Sequence, residues 1–114
     1  MVEKKFPLPK EVEVGPYVYT IAHGDVTTRR QLGGDHGETD HSELIIKINE
    51  RATGVVRETL VHELLHALSD LAGLQEQYGA ETDEQWCRRI APWLLDTLRR
   101  NPNLVDFLLT DLDL

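Results

Sequence analysis

TLVHELLHALS, residues 59–69, places His62, Glu63 and His66 in the pattern H-E-x-x-H. Val61, Leu64, Leu65, Leu68, Leu71 and Ala72 recur around it at helical spacing, so the stretch reads as a helix with one face in a core. On a helix, positions i and i+4 project from one face about a turn apart, near enough for two imidazoles to reach one tetrahedral zinc ion. Glu63 is offset from that line, which suits it to hold a water beside the metal rather than the metal itself. Chance can produce such a pattern, and two histidines on a solvated face are the alternative reading. The flanking leucines favour a metal site, because they set the cluster at the edge of a core.

Two histidines leave a catalytic zinc one protein ligand short. No histidine follows His66, which excludes a third His in an extended version of the motif. The acids within reach downstream are Glu76, Glu81, Asp83 and Glu84. Glu84 is preferred because it falls inside a second expected helix that fixes its direction, and Glu81, three residues earlier, is the alternative. Compensation of the helix dipole in the first turn would by itself account for an acid at Glu84. The expected centre is one Zn2+ ion held by His62, His66 and Glu84, with Glu63 as general base. Such a centre hydrolyses a peptide bond by a zinc-held water that Glu63 activates. A non-catalytic zinc-binding or protein-interaction domain on the same scaffold is the second expectation.

The 114 residues, 13.0 kDa, suffice for one domain with a modest core. A net charge of -8, with the acids spread along the chain, argues against nucleic acid as a partner, since phosphate binding needs clustered Lys and Arg. The pairs Lys4-Lys5, Arg29-Arg30, Arg88-Arg89 and Arg99-Arg100 read as solvated faces or local ion-pair partners. No run approaches the roughly eighteen apolar residues of a membrane span, and MVEKKFPLPKEVEV lacks the apolar centre of a signal peptide. A cytoplasmic protein without a membrane partner is expected. The single Cys87 makes no internal disulfide, rules out a thiolate zinc cluster and reads as a packing residue.

Residues 1–16, punctuated by Pro7, Pro9 and Pro16, are expected to form an extended arm before a domain over 17–114. YVYTIAH (17–23) reads as a strand, with His23 a polar boundary residue. Residues 24–42, with four glycines, read as an exposed loop in which His36 and His41 are solvated rather than ligands. ELIIKIN (43–49) is a second strand with Leu44, Ile46 and Ile48 on its apolar face. The H-E-x-x-H helix is expected to start near Thr53, as N-cap, or Gly54, and to stop before Gly73. After a loop at 74–80, Thr82 and Gln85 suggest a capping box, and Trp86, Ile90, Trp93, Leu94 and Leu98 an apolar side. Pro92 predicts a kink or a split. Asn101-Pro102 begins a short last helix bearing Leu104, Val105, Leu108 and Leu109. The expected class is α+β, a short antiparallel sheet packed on the H-E-x-x-H helix and further C-terminal helices.

TLVHELLHAL, residues 59–68, resembles the active-site helix of small HExxH zinc metallopeptidases of the minimal gluzincin type, including those of phages and prophages. Glu84, Cys87, Ile90, Ala91, Leu94 and Leu95 distantly resemble the E-x-x-A-N-x-F-A-x-x-L-L helix of the ImmA/IrrE-like peptidases. The likeness runs over about residues 17–109, with Arg88 in place of that family's Asn and Pro92 interrupting the helix. It implies a small zincin-like domain that cleaves a peptide or protein substrate, with His62, His66 and Glu84 as zinc ligands and Glu63 as general base. The substrate is expected to lie extended along the strand at 43–49, with Tyr17, Tyr19, His23 or Tyr78 as second oxyanion donor.

Overall fold

Period-two alternation places Tyr19 and Ile21 on the same sheet face as Ile46 and Ile48, and all four are buried. The computed structural model describes residues 8–110; the first seven residues of the expected arm and the last four of the expected domain lie outside the described residues. In chain order the elements are β1 (Glu11–Val14), β2 (Tyr17–His23), α1 (Val26–Leu32), β3 (Gly37–Asp40), β4 (Ile45–Ile48), α2 (Thr53–Leu71), α3 (Leu74–Tyr78), α4 (Ala80–Arg100) and α5 (Pro102–Leu109). The class is α+β, a four-stranded sheet with five helices among the described residues. None of these helices is long and apolar enough to cross a membrane.

The sheet is mixed, not antiparallel, with strand order β1-β2-β4-β3. β2 runs parallel to β4, Ile21 beside Ile46 and His23 beside Ile48, while β1 and β3 are antiparallel edges. A parallel pair needs a long crossover, and residues 24–44 supply it. The expected loop is therefore largely ordered. Asp25 caps α1 by accepting from the Thr28 amide (3.1 Å), and the Asn49 side chain ties the α1–β3 connection by donating to the Gly33 and Asp35 carbonyls. The expected arm is likewise a strand over Glu11–Val14.

α2 lays Val56, Leu60, Leu64 and Ala67 against the sheet, a face rotated by roughly a quarter-turn from the one expected from Val61 to Ala72. Leu65 and Leu68 turn instead towards α3 and α4. Gly73 adopts φ 74° just past the end of α2, the left-handed conformation in which a residue without Cβ stops a helix. Thr53 is the first helical residue and not the N-cap, which is Ala52 without a side-chain bond. The expected loop at 74–80 contains α3.

α4 begins at Ala80 and needs no Thr82 box, since Gly79 occupies the cap position. It runs through Pro92 as one helix to Arg100. Proline removes only its own amide bond, to the carbonyl of the exposed Arg88, and packing on α2 along the buried line Asp83, Cys87 and Ala91 holds the helix together. Pro102 sits in the first turn of α5 as expected, but the Asn101 side chain donates back to the Thr97 carbonyl (2.8 Å) at the end of α4.

Candidate metal centre

The start of α4 packs beside the middle of α2, and this juxtaposition builds the centre. His62 and His66 bring their Nε2 atoms to 3.0 Å of one another. Glu84 sets Oε1 3.2 Å from His62 Nε2 and Oε2 2.8 Å from His66 Nε2. A tetrahedral zinc with bonds of about 2.05 Å separates its ligand atoms by about 3.3 Å, so this triangle is of the size the ion requires. Glu81 is exposed and contributes no atom to the cluster.

Proton counting points the same way. His66 Nδ1 lies 2.7 Å from Asp83 Oδ2, and because a carboxylate only accepts, that nitrogen carries the proton. The Nε2 lone pair of that tautomer then faces a Glu84 carboxylate oxygen, with His62 Nε2 beside both. A cation among them satisfies all three when His62 presents its lone pair as well. Burial holds the His62 pKa below its ordinary value, with help from His66 and Arg88 and against the pull of Glu84, so His62 too favours the neutral form that binds metal.

Asp83, one of the four downstream acids within reach, is the partner of His66. It is 7% exposed, accepts from His66 and from the Ser69 hydroxyl, and lies 3.8 Å from Cys87 Sγ. Burial alone would raise its pKa, but these donors outweigh burial and hold it below the usual range. Fixing the tautomer and aim of His66 is the ordinary work of such a carboxylate. Asp83→Asn is expected to weaken zinc binding by about 10–100-fold, read by competition with a chromophoric chelator. Unchanged affinity would show that Asp83 does not orient the ligand. The only sequence signals were an acid next to Glu84 and a Ser three residues after His66.

His66, Asp83 and Cys87 also converge closely enough to be considered as ligands. That set is the weaker one, since Asp83 is already engaged and Cys87 is a buried thiol with its pKa pushed up to about 12 by burial and by Asp83. Such a thiol stays protonated at ordinary pH and is a poor ligand. Cys87 is expected to resist iodoacetamide in the folded chain and to react fully in urea. Rapid labelling of the native protein would contradict that packing.

Glu63 faces the cleft from α2, 6% exposed. Burial raises its pKa, while a hydrogen bond from the Thr39 hydroxyl to Oε1 (2.8 Å) and the nearby His66 pull it down. That bond depends on β3 lying very close to α2. At Gly37 a Cβ would stand 2.7 Å from Thr59 Cγ2 and 3.2 Å from Glu63 Cγ, so a residue with no side chain is required there. Thr39 and Gly37 were hidden in the stretch read as loop.

The cleft itself, about 790 Å3, is bounded by β3, α2 and α4, with Asp35, Glu38, Glu58 and Arg88 in its walls. His36 and His41 line it too, and are held rather than free. His36 Nδ1 accepts from Arg51, and His41 Nδ1 lies 3.2 Å from the Tyr19 hydroxyl and 3.6 Å from Asp70. None of the expected oxyanion donors lines the cleft. Tyr19 is 2% exposed within the core, Tyr78 belongs to a separate apolar groove, and Tyr17 and His23 are exposed on β2 away from it. No family model matches the chain, and neither a curated protein nor a solved structure does.

Proposed function

We propose that the chain is a zinc-dependent metallopeptidase of zincin-like architecture, hydrolysing peptide bonds in a cleft between β3, α2 and α4. The observation that carries this reading is the convergence of His62, His66 and Glu84 lone pairs, with the Glu63 carboxylate beside them on the cleft wall. When bound, zinc would polarise the scissile carbonyl and acidify water. Glu63 takes the proton from water and returns it to the leaving amine, with one oxygen held by Thr39. Arg88, which lines the cleft with Nη2 3.4 Å from Glu84 Oε1, would supply positive charge for the developing oxyanion.

The strand at 43–49 was the expected substrate partner, but β4 lies between β2 and β3 and has no free edge. β3 is the edge strand on the cleft, so an extended peptide pairs with Gly37–Asp40 instead. Asp35, Glu38 and Glu58 make no ion pair among the described residues and give the walls a negative field that favours peptides rich in Lys or Arg. The direct test is zinc analysis of the purified chain together with cleavage of a basic, unstructured peptide. One equivalent of zinc and chelator-sensitive cleavage support the reading, and absence of both defeats it.

A further inference from the structure

A second groove, about 750 Å3, lies between α2, α3 and α4 and is lined chiefly by apolar side chains, among them Leu68, Leu74, Tyr78, Trp86 and Ile90. The apolar face continues along α4 to Trp93, at helical spacing from Trp86 and Ile90. Trp86 is 66% and Trp93 72% exposed, with Tyr78 at 59%. With up to about 250 Å2 for a tryptophan, the six residues together present roughly 700 Å2. That exceeds the few hundred Å2 ordinary for a monomer and approaches the ~800 Å2 that one partner gives to a standard interface.

We propose that this face is the two-fold interface of a homodimer, in which α4 packs antiparallel on α4 of a second copy and Trp86 of each chain meets Trp93 of the other. The pattern along the helix supports that occupant over a foreign one. The outward positions Thr82, Trp86, Arg89, Ile90, Trp93 and Thr97 are all exposed, and about a point between Arg89 and Ile90 they are symmetric, Trp86 against Trp93 and Thr82 against Thr97. A two-fold axis brings residue i to j and j to i, and in this register it matches like with like, indole on indole and hydroxyl on hydroxyl.

The charges agree. In a chain of net charge -8, no exposed α4 residue from Gln85 to Trp93 is acidic. Glu81, Asp83 and Glu84 lie at the start of α4 and Arg99 and Arg100 at its end, where Asp96 pairs with Arg100. Antiparallel packing therefore brings the acidic start of one helix near the basic end of the other, twice, on the flank of the tryptophan stripe. Glu81 and Arg99 are exposed and make no ion pair among the described residues. Arg89, near the axis, lies within reach of the tryptophan faces of the second copy, which offset its charge.

Sedimentation equilibrium of the full chain at physiological salt is expected to return twice the 13.0 kDa chain mass. Trp93→Glu is expected to return a monomer with an unchanged circular dichroism spectrum. Glu81→Arg and Arg99→Glu should each raise the dimer dissociation constant roughly three- to tenfold, since symmetry counts each pair twice. The two combined should restore it. A monomer at every concentration up to about 0.2 mM overturns the proposal, whatever else the groove binds. So does a double variant no tighter than the singles, because the register would then be wrong.

Discussion

Replacing His66 with alanine is expected to reduce bound zinc from one equivalent to less than about a tenth, and to abolish any rise in melting temperature on adding the metal. His66 is the node of the centre. Its Nε2 faces both His62 and Glu84, and its Nδ1 holds Asp83. An ion that binds only the folded chain stabilises it by about 4 kcal/mol at a thousandfold excess over Kd, which for a chain of this size moves the melting temperature by well over about 10 °C. His66→Ala forfeits that gain, and it leaves a buried Asp83 short of a donor, a further loss of about 1–3 kcal/mol with or without metal. Calorimetry with and without zinc separates the two effects. A variant that still carries a full equivalent of zinc would refute the proposed ligand set, and so would a parent chain that carries none.

Glu63→Gln is the complementary substitution, expected to reduce peptide cleavage by about 10²–10⁴-fold while zinc content stays at one equivalent. Glutamine keeps the length of the side chain and an oxygen that can still accept from Thr39, so the site keeps its shape and loses its base. Retention of zinc distinguishes loss of the base from collapse of the centre. If the parent chain binds zinc and neither form cleaves peptide, the non-catalytic zinc domain is the reading that survives.

Much of this centre was legible because its residues lie on helices, where spacing alone fixes direction. His62, Glu63 and His66 read out from their i, i+1 and i+4 positions, and Glu84 from its place in a second helix; all four border one cleft. The parts that were not legible are those whose structure comes from tertiary pairing. GETD at 37–40 has poor strand propensity and becomes β3 only by pairing with β4, so Thr39 could not be foreseen as the partner of Glu63. VTTRRQL has too few apolar residues for a helical period to show, and α1 went unread. The phase error on α2 has a related cause. Two apolar stripes adjoin on that helix, one under the sheet and one towards α3 and α4, and sequence periodicity merges them. Asp83 was visible as an acid, but only packing shows that it turns inward to His66 while Glu84 turns to the cleft.

Every proposed ligand falls within α2 and α4, a span of about twenty residues joined through α3, whereas β2 reaches β4 only after α1 and β3 have been threaded between them. The two closures span similar lengths of chain, but the hairpin is made of helices whose own hydrogen bonds are local, whereas the parallel pair has none until its register is set. The helical hairpin is thus the natural nucleus of folding, and its histidines and carboxylate come together before the sheet is complete. An ion present at that moment acts as a template, so that refolding in zinc should be faster than refolding followed by zinc.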